Sequence, residues 1–438
     1  MIGLIRADDL DRWASRITAA PEFPRLIRLL VHATAHGLKQ IDFPADEAVR
    51  LAGWDGKVLA EEASPFVPAG FSAWELGTGH DPRTKANDDY TKRTGNSLGV
   101  DPLQATFIFA TPRRWPGRDD WVTEKRAKGK WKDVIAFDAE ILAQWLESAP
   151  AVAAWFAPVV GSMPPDARAL EAVCDDFRTA TKPALDLSGL LIARDSERAT
   201  LLALLQGPPL VVEISATTVA EAAAFVGACI EFLPEHERDS LWARAIWVDS
   251  NAGLRNIAVS DRSLIVVASG ELPGAGRQHH FVKVSASRSS GAGNAIELGT
   301  QPVSALVEYL AKQGLDRNDA YERCQEAGGY LERVRHTLLA VAPAVPEWVA
   351  PAVGVTVAVA ILIGEWDESY ETDKAIVSAI AGVEYEQLVR AVTPFQSGPS
   401  PLISRAGTVW KVYARPTAWK LLEPSLTARQ VNVFLEST

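Results

Sequence analysis

Cysteine is scarce. The 438 residues include only Cys174, Cys229 and Cys324, odd in number and without metal-ligand spacing. That argues against a disulfide framework and suits buried thiols in a reducing, cytoplasmic compartment. Long apolar runs are missing too. The segment that comes nearest, Trp348 to Gly364, contains Pro351 and Gly354 and is shorter than the ~20 residues a spanning helix needs. It predicts a buried helix and no membrane partner. The start, MIGLIRADDLDRW, carries charges where an export signal needs an apolar core. Internal repeats and low-complexity tracts are absent. So is any basic excess: 44 Lys and Arg face 55 Asp and Glu, a net charge of −11. A nucleic-acid surface would therefore have to be local. What is present, 47% hydrophobic and 8% aromatic residues, suffices for ordinary cores. The length suits about three domains.

The chemistry is concentrated early. Gly53-Trp54-Asp55-Gly56-Lys57 is followed by Phe71-Ser72-Ala73-Trp74-Glu75-Leu76-Gly77, a spacing that suits a hairpin bringing Asp55 and Glu75 together. Two carboxylates on neighbouring strands suit Mg²⁺ or Mn²⁺, because a hard cation takes few protein oxygens and keeps several waters. Such an ion activates water and steadies a phosphate under attack. The same residues also suit a plain turn, where Asp bonds its own backbone and Gly supplies unusual dihedrals.

The surrounding pattern is mixed α/β. Pro24 to Ala35 has helical spacing, as does the polar stretch Lys85 to Arg93, while Ala105 to Ala110 reads as a buried strand. Val134 to Phe137 is a further strand, with Asp138 capping a helix from Ala139 to Glu147. This order is compatible with a PD-(D/E)xK restriction-endonuclease-like core. The runs GWDGKV, PAGFSAWELGTG, KANDDYTKRT, TFIFATPRRW and WKDVIAFDAEILAQWLESAPAVAAW resemble the N-terminal module of large bacterial proteins of restriction-endonuclease-like type, similar in layout to STAND anti-phage defence proteins. The resemblance implies a Mg²⁺-dependent DNA endonuclease acting as a defence effector. Self-association or a partner protein of the defence system, together with a nucleotide-binding module, would control it.

One departure matters. The nuclease motif wants a lysine two residues after the glutamate, and that position is Gly77. Lys85 on the following helix, or Lys57 beside Asp55, is the candidate replacement. The alternative is a non-catalytic interaction or scaffold protein that has kept the fold. A basic segment adds a nucleic-acid expectation: Arg113, Arg114, Lys125, Arg126, Lys128 and Lys130 are interleaved with Trp115, Trp121 and Trp131. Cations attract phosphate and indoles stack on bases, although a solvated loop anchored by its tryptophans accounts for the same pattern.

The remainder divides into expected domains at 1–160, 161–300, 301–364 and 365–438. In the second, Leu210 to Ile214, Ala245 to Asp249 and Ser263 to Ala268 are strands alternating with helices, implying a parallel sheet like that of a P-loop NTPase. Asp249 stands where a Mg²⁺-binding aspartate would. The first loop, Ser215-Ala216-Thr217-Thr218-Val219-Ala220-Glu221, lacks the glycines and lysine that hold a phosphate, and Glu221 would repel one. A degenerate, non-hydrolysing domain is expected. Gln325 to His336 resembles the lid helix of AAA+ and STAND ATPases, with Arg333 or Arg335 as phosphate-reaching arginine or structural ion pair. His279 and His280 read as loop residues. Short helices at Asp373 to Ala381 and Glu384 to Val392, then a strand at Gly407 to Tyr413, predict a winged-helix-like module. The end, Glu436-Ser437-Thr438, follows the start of a helix and suits a fragment or a short relative lacking a large sensor.

Overall fold

The computed structural model describes residues 4–44, 53–163, 166–250, 253, 262–269, 278–286, 294–340, 347–349, 351–396, 402–412, 415–422 and 426. Most of the loop preceding His279, most of the expected loop Ser397 to Ile403 and the chain end Glu436 to Thr438 lie outside these residues.

The chain forms two compact units: Met1–Ala172 with Leu233–Val266 and Leu272–His280, and Val173–Phe232 with Val267–Glu271 and Phe281–Thr438. The first opens with helices α1 (Ala7–Trp13) and α2 (Ala19–Thr34), then strands β1 (His36–Asp42), β2 (Gly56–Glu62) and β3 (Gly70–Leu76). Helix α3 (Pro82–Gly95), strand β4 (Ala105–Ala110), helix α4 (Arg118–Ala127), strand β5 (Asp133–Phe137) and helices α5 (Ala139–Ser148) and α6 (Pro150–Val160) follow. The five strands lie in the order β1-β2-β3-β4-β5. The first three are antiparallel, and β3, β4 and β5 run parallel, joined through α3 and α4. β4 is buried along its whole length, as its uninterrupted apolar run requires.

Local signals set the ends of these elements. Asp81 caps α3 by accepting the Thr84 amide at 3.0 Å, with Pro82 in the first turn. Asp138 caps α5 through the Ile141 amide at 3.2 Å, as expected. Neither β1 nor α4 follows from the sequence pattern.

Strand β6 (Ala167–Ala169), helix α7 (Leu170–Thr179), helix α8 (Asp195–Gln206), strand β7 (Val211–Ser215), helix α9 (Val219–Glu231), helix α10 (Glu235–Trp242), β8 (Ala245–Val248), β9 (Ile265–Ala268), β10 (His280–Ser285) and β11 (Ala295–Glu297) come next. β6 to β11 make a six-stranded sheet in the order β11-β7-β10-β9-β8-β6. β7 is parallel to both β10 and β11, and β6 is antiparallel to β8.

Helices Val303–Lys312, Arg317–Glu326 and Leu331–Thr337 follow. The expected single lid helix is instead broken at Gly328 and Gly329, whose φ values of 62° and 76° no helix accommodates. Helix Pro351–Ile363 is buried from Val357 to Leu362, and no described helix is long and apolar enough to cross a membrane. The final helices, Glu371–Ala381, Tyr385–Val392 and Arg415–Leu422, accompany an antiparallel sheet of β12 (Glu365–Asp367), β13 (Ile403–Ala406) and β14 (Val409–Val412) in the order β12-β14-β13. Trp366 stacks on Trp410 at 5.8 Å in its core.

Candidate metal centre

β2 and β3 pair with Gly56 opposite Trp74, so the next pair outward sets Asp55 against Glu75. The Leu76 amide donates to Asp55 Oδ2 at 2.7 Å and ties that side chain to β3. Glu75 is 3% exposed and lies beside Phe109 of β4. Burial and the nearby charge of Asp55 push its pKa up to about 8, against the pull of Arg93.

α3 lays a stripe of charged side chains over this point. The Lys85 ammonium donates to Asp89 Oδ1 at 2.9 Å. Burial lowers the pKa of Lys85, but Asp89, Glu75 and Asp55 outweigh it and the net shift is upward. The Lys85 stem passes over Gly77, where a Cβ would lie 3.0 Å from Lys85 Cγ. Arg93, one turn past Asp89, is buried, bonds Glu75 Oε1 and the Gly53 carbonyl, and stacks 4.8 Å over the Trp54 ring.

Lys85 is thus brought to the carboxylates. Lys57 pairs with Ala73, two residues short of Glu75, and lines a cleft of ≈ 350 Å³ with Phe71, Val100 and Ala105.

The donor set fits a hard divalent cation held sparsely. Asp55 and Glu75 each commit one carboxylate oxygen to the contacts above, and Asp89 Oδ2 is buried without a hydrogen-bond partner among the described residues. No three His, Cys, Asp or Glu among the described residues are grouped to hold an ion. Two carboxylates and waters would have to suffice, the usual manner for Mg²⁺.

The basic segment is not an open cationic face. Arg113 is buried and donates to the Thr78 and Asp11 carbonyls at 2.9 and 2.8 Å. Lys125 is buried against Tyr90 and Trp121 and pairs with Glu124 at 3.0 Å. Arg114 pairs with Asp8 and Glu140, Arg126 with Asp133 and Lys128 with Glu124. Lys130 is exposed. Trp115, Trp121 and Trp131 are buried in the core, so no base can stack on them.

In the second unit the β7–α9 turn is filled by the chain's own acid. Thr218 caps α9 by accepting the Glu221 amide at 3.0 Å. The fully buried Glu221 carboxylate accepts from the Thr217 amide at 2.9 Å and from Arg194 at 3.0 Å. Thr218 donates to Glu332 at 2.9 Å, and Arg335 closes the network on Glu332 at 2.6 Å. Burial alone would raise the Glu332 pKa, but Arg335 and His336 hold it down to about 2. Arg335 is therefore a structural ion pair. Arg333 stacks over Tyr330 and lines a cleft of ≈ 430 Å³ with Ser215, Thr217, Glu297 and Lys411.

The expectation for Asp249 is overturned. It follows β8, and β9 and β10 stand between β8 and β7, so it cannot serve the β7 turn. Its carboxylate accepts from Trp247 at 2.6 Å. His279 and His280 are buried rather than looped out. His280 opens β10, and His279 Nδ1 accepts the Leu264 amide at 3.2 Å.

Sequence reasoning missed Asp89, Arg93 and Arg194. For the first two a signal existed: Lys85, Asp89 and Arg93 recur at four-residue spacing, which places them on one helical face. No protein-family model matches the chain, and no curated protein matches it.

Proposed function

We propose that the N-terminal unit is a divalent-metal-dependent DNA endonuclease of PD-(D/E)xK type, working as an anti-phage defence effector. The observation that carries this reading is the meeting of Asp55 and Glu75 beneath Lys85, whose stem occupies the space over Gly77. Asp55 and Glu75 would hold the Mg²⁺ or Mn²⁺. The bound ion supplies an activated water and charge neutralisation at the scissile phosphate. Lys85 sets a cation two residues' reach beyond Glu75, where it opposes negative charge developing on that phosphate. Asp55 stays aligned because the Leu76 amide holds its other oxygen. Arg114, Arg126, Lys128 and Lys130 are the exposed cations of the basic segment available to a DNA backbone.

The second unit fits a degenerate P-loop-like regulator without nucleotide turnover. β7 lies between β10 and β11, where the strand order reverses and open α/β sheets accept ligands, but its turn already holds Glu221.

A second reading has its own support. Arg93 bonds the very carboxylate that should bind metal, as a scaffold stabilised by an internal hydrogen bond would have it. The test is incubation of supercoiled plasmid with Mg²⁺ or Mn²⁺. Nicking or linearisation that disappears in Glu75→Ala supports the nuclease; no cleavage with either metal supports the scaffold. Cleavage that survives in Glu75→Ala would remove the site from these residues.

A further inference from the structure

Helix α3 is pinned to β3 at two points one turn either side of Asp89. Lys85 lies against Gly77, and Arg93 bonds Glu75. Residues four apart share a helical face, so Asp89 overlies the stretch between those points. The residue is 4% exposed, Oδ1 accepts from Lys85 at 2.9 Å, and Oδ2 meets no hydrogen-bond donor among the described residues. A buried carboxylate oxygen is seldom left unmet in a folded protein.

We propose that Asp89 is a positioning residue of the metal centre, its Oδ2 accepting a hydrogen bond from a water in the shell of the ion held by Asp55 and Glu75, while Lys85 fixes the carboxylate through Oδ1. The inference rests on the metal reading given above. The ion prefers to retain several waters, and outer-shell carboxylates are what orient them. A water-mediated role also agrees with the spacing, since no three acids stand together as direct ligands among the described residues. The charge of Asp89 is felt at Glu75, and that of Asp55 at Asp89, so the three groups share one electrostatic neighbourhood.

The test is Mn²⁺ titration of the full chain by calorimetry, with water-proton relaxivity of the bound ion measured alongside. Asp89→Asn should weaken Mn²⁺ binding by about 10–100-fold, the range for lost outer-shell partners. It should also change the relaxivity, which a purely structural side chain would leave alone. Asp89→Glu, still an acceptor, should recover part of both, and carries the comparison if Asp89→Asn loses its thermal transition. If Asp89→Asn and Asp89→Glu bind Mn²⁺ like the wild type with the same relaxivity, while Glu75→Ala abolishes binding, the role of Asp89 is overturned and the metal centre stands. If the wild type binds no Mn²⁺, both readings fall.

Discussion

Lys85 lies across the backbone of Gly77: a Cβ at residue 77 would stand 3.0 Å from Lys85 Cγ and 3.0 Å from the ring of Phe109. The missing side chain at the usual lysine position is thus what leaves room for a lysine from the next helix. Lys85 has a flexible stem, but Phe109 is fully buried and cannot yield. Gly77→Lys should therefore destabilise by about 1–3 kcal/mol rather than restore an ordinary motif. Urea denaturation reads this directly, and an unchanged midpoint would mean the space over Gly77 is not filled.

Glu75 should make stability fall with rising pH. Its folded pKa, about 8, lies above the ordinary 4.5, so between those values the native state keeps a proton that the unfolded chain releases. The stabilisation is full below about 4.5 and is lost as pH rises through about 8. Glu75→Gln should flatten that slope in denaturation measured from pH 5 to 9. On the proposed metal reading an ion competes for the same carboxylate, so Mn²⁺ affinity in the wild type should rise over this interval, with proton release visible as a buffer-dependent calorimetric enthalpy.

Glu221 and Arg194 form a pair buried at 0% and 3% side-chain exposure. Glu221→Ala leaves Arg194 uncompensated and should cost about 3–5 kcal/mol. It also vacates the Thr217 amide at the start of α9. Inorganic phosphate should then raise the Tm of the variant and leave that of the wild type unmoved. Phosphate stabilisation of the wild type would show that the turn still admits an external anion.

Trp121 is fully buried, with its indole N–H donating to Asn87 at 3.0 Å. Trp121→Ala should lose about 3–5 kcal/mol as a core truncation, whereas Lys130→Ala should leave stability unchanged. A Trp121→Ala protein with wild-type stability and weakened DNA binding would return that tryptophan to the surface.

The elements most legible in the sequence were those set by local chemistry. The apolar run Ala105–Ala110 became a fully buried strand, and the Asp138 cap fell where the side chain could reach a helical amide. β1 escaped notice because His36, Lys39, Gln40 and Asp42 leave it polar and half exposed. α4 was hidden because its charged residues and single inward indole resemble a loop. Asp249 failed for a different reason: strand adjacency is fixed by crossovers, and the sequence does not reveal that β9 and β10 intervene. Likewise, the pairing of Asp55 with Glu75 could be drawn from a hairpin, whereas the arrival of Arg93 depended on how α3 packs across the sheet.

One consequence follows from the buried carboxylate in the β7–α9 turn. Because that acid is carried by the polypeptide itself, its concentration at the turn does not rise or fall with the energy charge of the cell. An anion of any kind, nucleotide phosphate included, meets the Thr217 amide only by displacing the Glu221 carboxylate.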